Sequence, residues 1–211
     1  MPGAKQDPPT STQPRKRARD ALLQAAARLF YADGLAGTGI DTITAEAGVA
    51  KKSLYNNFAS KSELVGAYLE ARHAEWLELY RARLDGAANA KERILAVFDA
   101  YADHADMAYE HGFRGCGLLN AAAELPVGHP GRLAVRQHKE EVEHLLSTHL
   151  AAHLAGRPAT AASPNEAERS AGLAQHLSFL LEGAMARAGL EGDDANLQQA
   201  KRIAQQMLAG L

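Results

Sequence analysis

The sequence predicts an all-α protein, and three observations lead to this fold class. Apolar residues recur at helical spacing between Leu22 and Phe30, and again along residues 62–84. Segments rich in glycine and proline divide the rest of the chain into stretches of helical length. No alternating run of apolar and polar residues is long enough to predict a strand.

The predicted helices follow one another from Arg15 onward. The first ends at Gly34, because a glycine at this place is a typical helix stop. The others are predicted at 41–47, 52–58, 62–84, 91–109, 116–125, 131–155, 166–188 and 195–209. Residues 1–14 hold four of the eight prolines and few apolar side chains. Such a segment cannot offset its ordering entropy, so it is predicted to be a disordered tail.

Composition excludes several classes of protein. The single cysteine among 211 residues, Cys116, rules out an intrachain disulfide framework and a four-cysteine zinc site. The first 19 residues lack the apolar core of a secretory signal. No stretch approaches the roughly 18 apolar residues of a membrane span. We therefore expect a soluble, cytoplasmic protein without membrane contact.

Charge is distributed unevenly along the chain. Residues 1–66 carry nine Lys and Arg against six Asp and Glu, whereas the remainder carries 14 against 19. A basic head on an acidic body indicates that the head meets a polyanion.

The segment 38–61 reads TGIDTITAEAGVAKKSLYNNFASK and predicts two short helices joined by a tight turn. Asp41 or Thr42 can cap the first helix, and Gly48 permits the turn. Such a pair is a helix-turn-helix, whose second helix enters the major groove of DNA. Leu54 and Phe58 are predicted to face inward, and the exposed side offers Lys51, Lys52, Ser53, Tyr55, Asn56 and Asn57. Glycine-joined helix pairs also occur in ordinary all-α proteins, so spacing alone leaves both interpretations open.

The residues of this segment resemble the TetR family of regulators. AGVAKKSLYNNFASKSEL is similar to the recognition segment of that family, and LFYADG and Thr38 match in type and spacing. The resemblance covers about residues 18–66, with a looser similarity at RGCGLLNAAAELP, residues 114–126. It implies a three-helix DNA-binding domain over 15–61, followed by a helical ligand-binding and dimerisation domain over 62–211. It also implies a homodimeric regulator and not an enzyme, usually a repressor that a small-molecule inducer releases from palindromic operator DNA.

The resemblance also assigns residues to double-stranded operator DNA. It gives Lys51, Ser53, Tyr55 and Asn56 to the recognition helix, Tyr55 and Lys61 to phosphates, and Thr38 to the DNA backbone. Lys52 is an additional candidate contact, although a small residue is common at its position in the family. Ala50 stands where Ser or Thr often caps the recognition helix, and Asn56 and Asn57 replace a frequent His pair. These departures leave the operator sequence open.

A pocket for an apolar or aromatic inducer is predicted in the second domain. The candidates combine rings with a few polar groups, as small-molecule pockets do, although the same residues could fill a core. They are Tyr101, His104, Met107, Phe113, Cys116, Asn120 and Phe179. The helices at 131–155 and 166–188 are the candidates for the dimer interface. In the latter, Leu173, Leu177, Leu180, Leu181 and Ala184 form an inward stripe, with Gly183, Ala186 and Ala188 small enough for close approach.

Other signals are weaker. His149 and His153 share a helix face, but the glutamate that follows the first histidine in metalloproteases is missing. We therefore expect no metal and no cofactor. Cys116 is either a redox sensor or a small buried residue, and the latter is favoured. No spacing brings together a nucleophile, a base and an orienting group, so no enzyme is predicted.

Overall fold

The computed structural model describes residues 12–107, 109–156 and 166–211, which form nine helices and no strand. This confirms the all-α fold class. The helices are α1 (Thr12–Gly37), α2 (Ile40–Glu46), α3 (Lys51–Asn57), α4 (Lys61–Leu84), α5 (Ala90–Ala105), α6 (Gly117–Ala123), α7 (Pro130–Ala155), α8 (Glu166–Glu191) and α9 (Ala195–Ala209). The chain divides into two compact units, the first ending at Tyr68 and the second beginning at Leu69.

Several helix ends differ from the predicted ones. α1 begins at Thr12, within the segment predicted to be a tail, and is interrupted at Gly34, where φ is 82°. Residues 1–11, the rest of that predicted tail, lie outside the described residues. α5 ends at Ala105 rather than at 109, and α8 continues to Glu191. The unit boundary falls inside α4, seven residues after the predicted domain boundary.

In the first unit, α1, α2 and α3 pack against one another. Their shared core is fully buried and contains Leu22, Ile43, Leu54 and Phe58. The ring of Phe30 meets that of Tyr68 edge-on, with 5.5 Å between centroids. The inward orientation predicted for Leu54 and Phe58 is therefore confirmed.

In the second unit, α7 packs on α5 and α8, and α9 packs on α5 and α8. The core combines branched and aromatic side chains from these four helices, among them Ile94, Phe98, Leu146, Leu150, Leu177 and Leu197. Asn89 caps α5 by accepting a hydrogen bond from the Glu92 amide, with 3.0 Å between Oδ1 and N. None of the described helices is both long and apolar enough to span a membrane.

The two faces of α8 have different surroundings. Leu177, Leu181 and Ala184, which the sequence placed on the inward stripe of this candidate interface helix, are buried within their own unit. Ala188, predicted to allow close approach of a second subunit, is buried there too. The opposite face is apolar yet exposed, with Phe179 65% and Leu190 88% exposed, and it carries Gly183 and Ala186 between them. We call this set of four residues the α8 outer face.

Candidate nucleic-acid interface and ligand cavity

The turn between α2 and α3 has the backbone geometry of a helix-turn-helix. Gly48 adopts a φ of 65°, a conformation that side-chain-bearing residues rarely take. The amide of Val49 then donates back to the carbonyl of Thr44 at 3.0 Å, closing the turn. Ile43 and Leu54 fix the two helices to the core of the first unit.

The N-caps of both helices lack side-chain bonds. Gly39 caps α2, so the expectation that Asp41 or Thr42 does so is wrong. Asp41 instead lies in the first turn of α2, where a carboxylate favours the positive end of the helix dipole. Ala50 caps α3 and offers no side-chain acceptor.

The exposed side of α3 presents a polar, basic surface. Lys51, Lys52, Tyr55 and Asn56 are exposed, and 51% of Tyr55 is accessible. The ammonium of Lys51 lies 2.8 Å from the carboxylate of Asp41. The hydrogen bond to Asp41 raises the pKa of Lys51, so this side chain is charged at neutral pH.

Ser53 is only half-buried, and its carbonyl is occupied. It accepts a hydrogen bond from the Asn57 side chain, with 2.7 Å between Nδ2 and O. Asn57 is thereby held against α3, whereas the side chain of Asn56 stays on the exposed side.

The start of α1 adds basic groups to this surface. The guanidinium of Arg15 donates to the carbonyl of Asn56 at 2.7 Å, and that of Arg19 lies 5.0 Å from the ring centroid of Phe58. Motif reasoning did not include Arg15 among the contact residues. The basic residues between 15 and 19 could have indicated this contact, because they contribute to the positive charge of the N-terminal region.

Two residues predicted to reach DNA point into the protein. Thr38 is 1% exposed, and its hydroxyl donates to the carbonyl of Gly34 at 2.7 Å. The Lys61 ammonium donates to the carbonyl of Leu35 at 2.5 Å. Both side chains thus hold the end of α1, and the contact of Thr38 with the DNA backbone stays a prediction. The phosphate role of Lys61 stays a prediction.

The second unit contains a narrow cavity. Its free space is about 20 Å³, room for about one water molecule. The lining comes from α4, α5, α7 and α8 and from the start of α6: Arg72, His73, Trp76, Tyr101, His104, Cys116, Gly117, Leu118, His138, Lys139, Val142 and Met185.

The predicted pocket residues separate into two groups. Tyr101, His104 and Cys116 line the cavity, whereas Met107 and Phe113 do not. Asn120 is exposed and donates to the carbonyl of Arg114 at 2.9 Å. Phe179 is on the α8 outer face and does not line this cavity. Its position, five residues before the buried Ala184, turns it away from the helix face that packs inward.

Sequence reasoning missed the contributions of α4 and α7. Arg72 and Trp76 lie one turn apart on α4, and His138 and Lys139 are adjacent on α7. These residues are separated along the chain by more than 60 positions. Only the packing of α4 and α7 in the second unit brings them to one cavity.

Lys139, in the cavity wall, forms a partly buried ion pair with Glu182. The ammonium of Lys139 donates to Glu182 Oε1 at 2.7 Å and to the hydroxyl of Tyr101 at 3.2 Å. Burial alone would lower the pKa of Lys139, but the Glu182 carboxylate, which accepts its hydrogen bond, raises it well above its ordinary value. Burial also raises the pKa of Tyr101, so its hydroxyl stays protonated.

His104 is held neutral beside a cation. The guanidinium of Arg72 hydrogen-bonds His104 Nε2 and pairs with Glu75 at 2.5 Å. Burial, and then the charges of Arg72 and Lys139, lower the pKa of His104 to about 3. Its Nε2 therefore accepts the hydrogen bond of the Arg72 guanidinium at neutral pH.

This histidine makes the stability of the protein depend on pH. The unfolded chain protonates His104 near its ordinary pKa of 6.5, whereas the folded chain does so near 3. Above pH 6.5 the free energy of unfolding does not depend on His104. As the pH falls from 6.5 towards 3, the unfolded chain binds a proton that the folded chain does not, and the free energy of unfolding falls by about 1.4 kcal/mol per pH unit. We expect His104→Gln to reduce the slope of unfolding free energy against pH by about that amount.

Urea unfolding between pH 7 and pH 4.5 measures this slope. The matched control is His144→Gln, which changes an exposed histidine on α7 and is expected to keep the parent slope. A His104→Gln slope equal to that of the parent protein would contradict the assignment.

Comparison with known proteins identifies the family. The family model described as bacterial regulatory proteins, tetR family, matches residues 22–68, which contain α2, the turn and α3. The structure also resembles the crystal structure of a TetR-family transcriptional regulator from Streptomyces coelicolor. That match has a TM-score of 0.79 and 30% identity, and covers 92% of this chain and 96% of the other. The chain belongs to the TetR family.

Curated relatives of this TetR-family chain include both a repressor and an activator. The HTH-type transcriptional repressor KstR2 of Mycolicibacterium smegmatis is 38% identical over 94 residues, 44% of this chain and 45% of the relative. The HTH-type transcriptional activator FasR of the same species is 33% identical over 106 residues, 50% of this chain and 47% of the relative. The chain thus spans about half the length of these relatives. The TetR family consists of DNA-binding transcription regulators rather than enzymes, in agreement with the sequence prediction.

Proposed function

We propose that the chain is a homodimeric transcriptional repressor that binds a palindromic operator through α3 and is released by a small-molecule inducer. The inducer occupies the cavity of the second unit. Because the operator is part of the chromosome, the proposed place of action is the cytoplasm. The similarity to KstR2, which is named a transcriptional repressor, supports repression rather than activation.

The exposed face of α3 carries the DNA-binding proposal. Lys51, Lys52, Tyr55 and Asn56 combine positive charge with groups that can bond base edges and phosphates. Arg15 adds a guanidinium beside the carboxyl end of the same helix. A seven-residue helix reads few base pairs, so selectivity requires a second copy.

The α8 outer face supports the dimer. Phe179 and Leu190 expose large apolar side chains, while Gly183 and Ala186 leave room for close helix approach. In a two-fold dimer the same patch is buried on both subunits. Such a dimer presents two α3 helices to half-sites about 34 Å apart.

The cavity supports an apolar or aromatic inducer. Trp76 and Tyr101 meet edge-on, with 5.4 Å between ring centroids, and Val142 and Met185 add apolar wall. The cations Arg72 and Lys139 are paired with Glu75 and Glu182. The wall is therefore balanced in charge and suits a neutral molecule with a few polar groups.

The small size of the cavity supports release by movement. A ligand larger than one water must displace lining side chains, and Arg72, His73 and Trp76 belong to α4. α4 is one continuous helix that begins at Lys61, directly after the recognition helix. We propose that its displacement lowers operator affinity, with a coupling of about 1–3 kcal/mol.

Selection of bound genomic fragments, followed by salt titrations on the selected duplex, tests the DNA-binding role. We expect Lys52→Ala to weaken binding on every sequence and to reduce the slope of log affinity against log salt by about one unit. Lys52 is exposed on α3, and its replacement is cleaner than that of Lys61, whose ammonium also holds the Leu35 carbonyl. Asn56→Ala is expected to change base preference instead.

Lys91→Ala, which removes the same charge from α5 in the second unit, is the matched control and should leave affinity and salt slope unchanged. Equal binding of all duplexes by the parent protein would refute sequence-specific recognition. Increased transcription from the selected promoter on addition of the protein would identify an activator.

Trp76, the one tryptophan of the chain, reports directly on the inducer. We expect apolar and aromatic compounds that bind the cavity to change its emission. Because coupling is reciprocal, saturating operator should then weaken binding of the same compound by about 5–150-fold. Equal affinity of the compound with and without operator would exclude release by this mechanism, while DNA binding itself would stand.

A further inference from the structure

Two histidines and two glutamates meet between α4 and α7, outside the proposed DNA interface. The rings of His73 and His138 stack with 4.1 Å between centroids, and the two residues are 6% and 7% exposed. His73 Nε2 lies 2.8 Å from Glu141 Oε2, and His138 Nε2 lies 3.4 Å from Glu70 Oε1. Each helix thus contributes one histidine and one glutamate, three positions apart.

One nitrogen of this cluster lacks a hydrogen bond of good geometry. His138 Nε2 is buried without a partner of good geometry among the described residues, although the Glu70 carboxylate is close. A buried polar atom without a hydrogen bond is costly, and coordination of an ion is one way to satisfy it. Ligand atoms of His73, His138 and Glu141 all lie within 4.8 Å of one another.

We propose that His73, His138 and Glu141 bind a divalent transition-metal ion of the zinc class, with Glu70 as the nearest fourth ligand. Imidazole and carboxylate together suit Zn²⁺, whereas Mg²⁺ and Ca²⁺ favour sites built only from oxygen. Two neutral imidazoles and two carboxylates would balance the ion charge.

The distances fit after modest rotation of side chains. Tetrahedral zinc with bonds of about 2.0–2.1 Å places its ligand atoms roughly 3.3 Å apart. The two nitrogen–oxygen separations of 2.8 and 3.4 Å bracket this value. A metal lies in the plane of each coordinating ring, so the stacked imidazoles must turn apart. Both rings line the cavity, and the side chains of Glu70 and Glu141 are 67% and 50% exposed, which gives the ion a path.

Cobalt titration of the chelator-treated, tag-free full chain tests the site without DNA. Co²⁺ replaces zinc in such sites, and its visible absorption reports tetrahedral coordination. We expect one Co²⁺ per chain, displaced by Zn²⁺. His73→Gln, His138→Gln and Glu141→Gln should each weaken binding by about 100-fold or more, since loss of even an outer partner costs 10–100-fold.

Glu141→Gln keeps the test decisive if the histidine variants fold poorly, because its side chain is half exposed. His144→Gln, an exposed histidine on α7, is the matched control and should bind as the parent does. Absence of stoichiometric Co²⁺ binding would overturn the proposal, and so would unchanged affinity in a folded Glu141→Gln protein. Since the readout contains no operator, it is independent of the DNA-binding proposal.

Discussion

Gly189→Ala is expected to destabilise the second unit by about 3 kcal/mol, the upper part of the usual range for overpacking. A Cβ at this position of α8 would lie 2.6 Å from both the Cα and N of Gly115, and 2.8 Å from the carbonyl carbon of Arg114. These are backbone atoms that no side-chain rotation can move. Gly115 itself has a φ of 80°, so the segment facing α8 has little freedom to retreat.

Thermal unfolding at fixed protein concentration measures this effect, because dimerisation makes the midpoint depend on concentration. A loss of 3 kcal/mol corresponds to roughly 6–12 °C for a chain of this size. Gly172→Ala is the matched control on α8, since a Cβ there meets nothing within 4 Å. It should be neutral or slightly stabilising, by up to about 1 kcal/mol. A Gly189→Ala midpoint equal to that of Gly172→Ala would show that the close approach is absent in solution.

The same substitution should also alter the cavity. Gly115 immediately precedes Cys116, Gly117 and Leu118, which line it. Displacement of this segment is therefore expected to change the Trp76 emission and its response to inducers. The α2–α3 pair belongs to the first unit, so operator contacts of protein that remains folded should be kept.

Phe179→Glu is expected to dissociate the dimer and abolish tight binding to the full operator. Phe179 is 65% exposed in the single chain, and a two-fold interface buries one copy of this side chain on each subunit. Loss of about 1.5–3 kcal/mol for each of the two buried rings weakens dimerisation by roughly 140-fold to 20,000-fold, before any cost of burying the new charge. Operator affinity should then fall to that of a single half-site.

Sedimentation at micromolar concentration and anisotropy with full-site and half-site duplexes measure the two effects. Ala82→Glu adds the same charge at an exposed position of α4 and should remain dimeric. A Phe179→Glu protein that sediments as a dimer would place the interface elsewhere on the chain. A parent protein that sediments only as a 22.5 kDa monomer would refute the homodimer itself.

The sequence by itself determined the fold class and the location of the DNA-binding element. The two short helices, the turn at Gly48 and the inward Leu54 and Phe58 all lie within 24 consecutive residues. Their signals are local: helical spacing, a positive-φ glycine, and apolar residues four positions apart. Local patterns of this kind can be interpreted without knowing how the rest of the chain packs, and the family resemblance rests on the same residues. The same helical periodicity also predicted which polar residues of α3 are exposed.

Only the tertiary structure decided which faces and which distant residues come together. The sequence placed Leu177 and Leu181 on an inward stripe of α8, but it did not show that they pack within their own unit or that Phe179 and Leu190 stay exposed. The family resemblance gave Thr38 to the DNA backbone, and only the structure shows that its hydroxyl donates to the carbonyl of Gly34 in α1.

The cavity and the histidine cluster depend on packing even more strongly. Trp76 of α4 meets Tyr101 of α5 in the cavity wall, and His73 of α4 stacks on His138 of α7. Each of these pairs joins helices that are separate in the sequence. Their positions are set by the way whole helices bury their apolar faces against one another, and a helical period in one segment does not specify its partner.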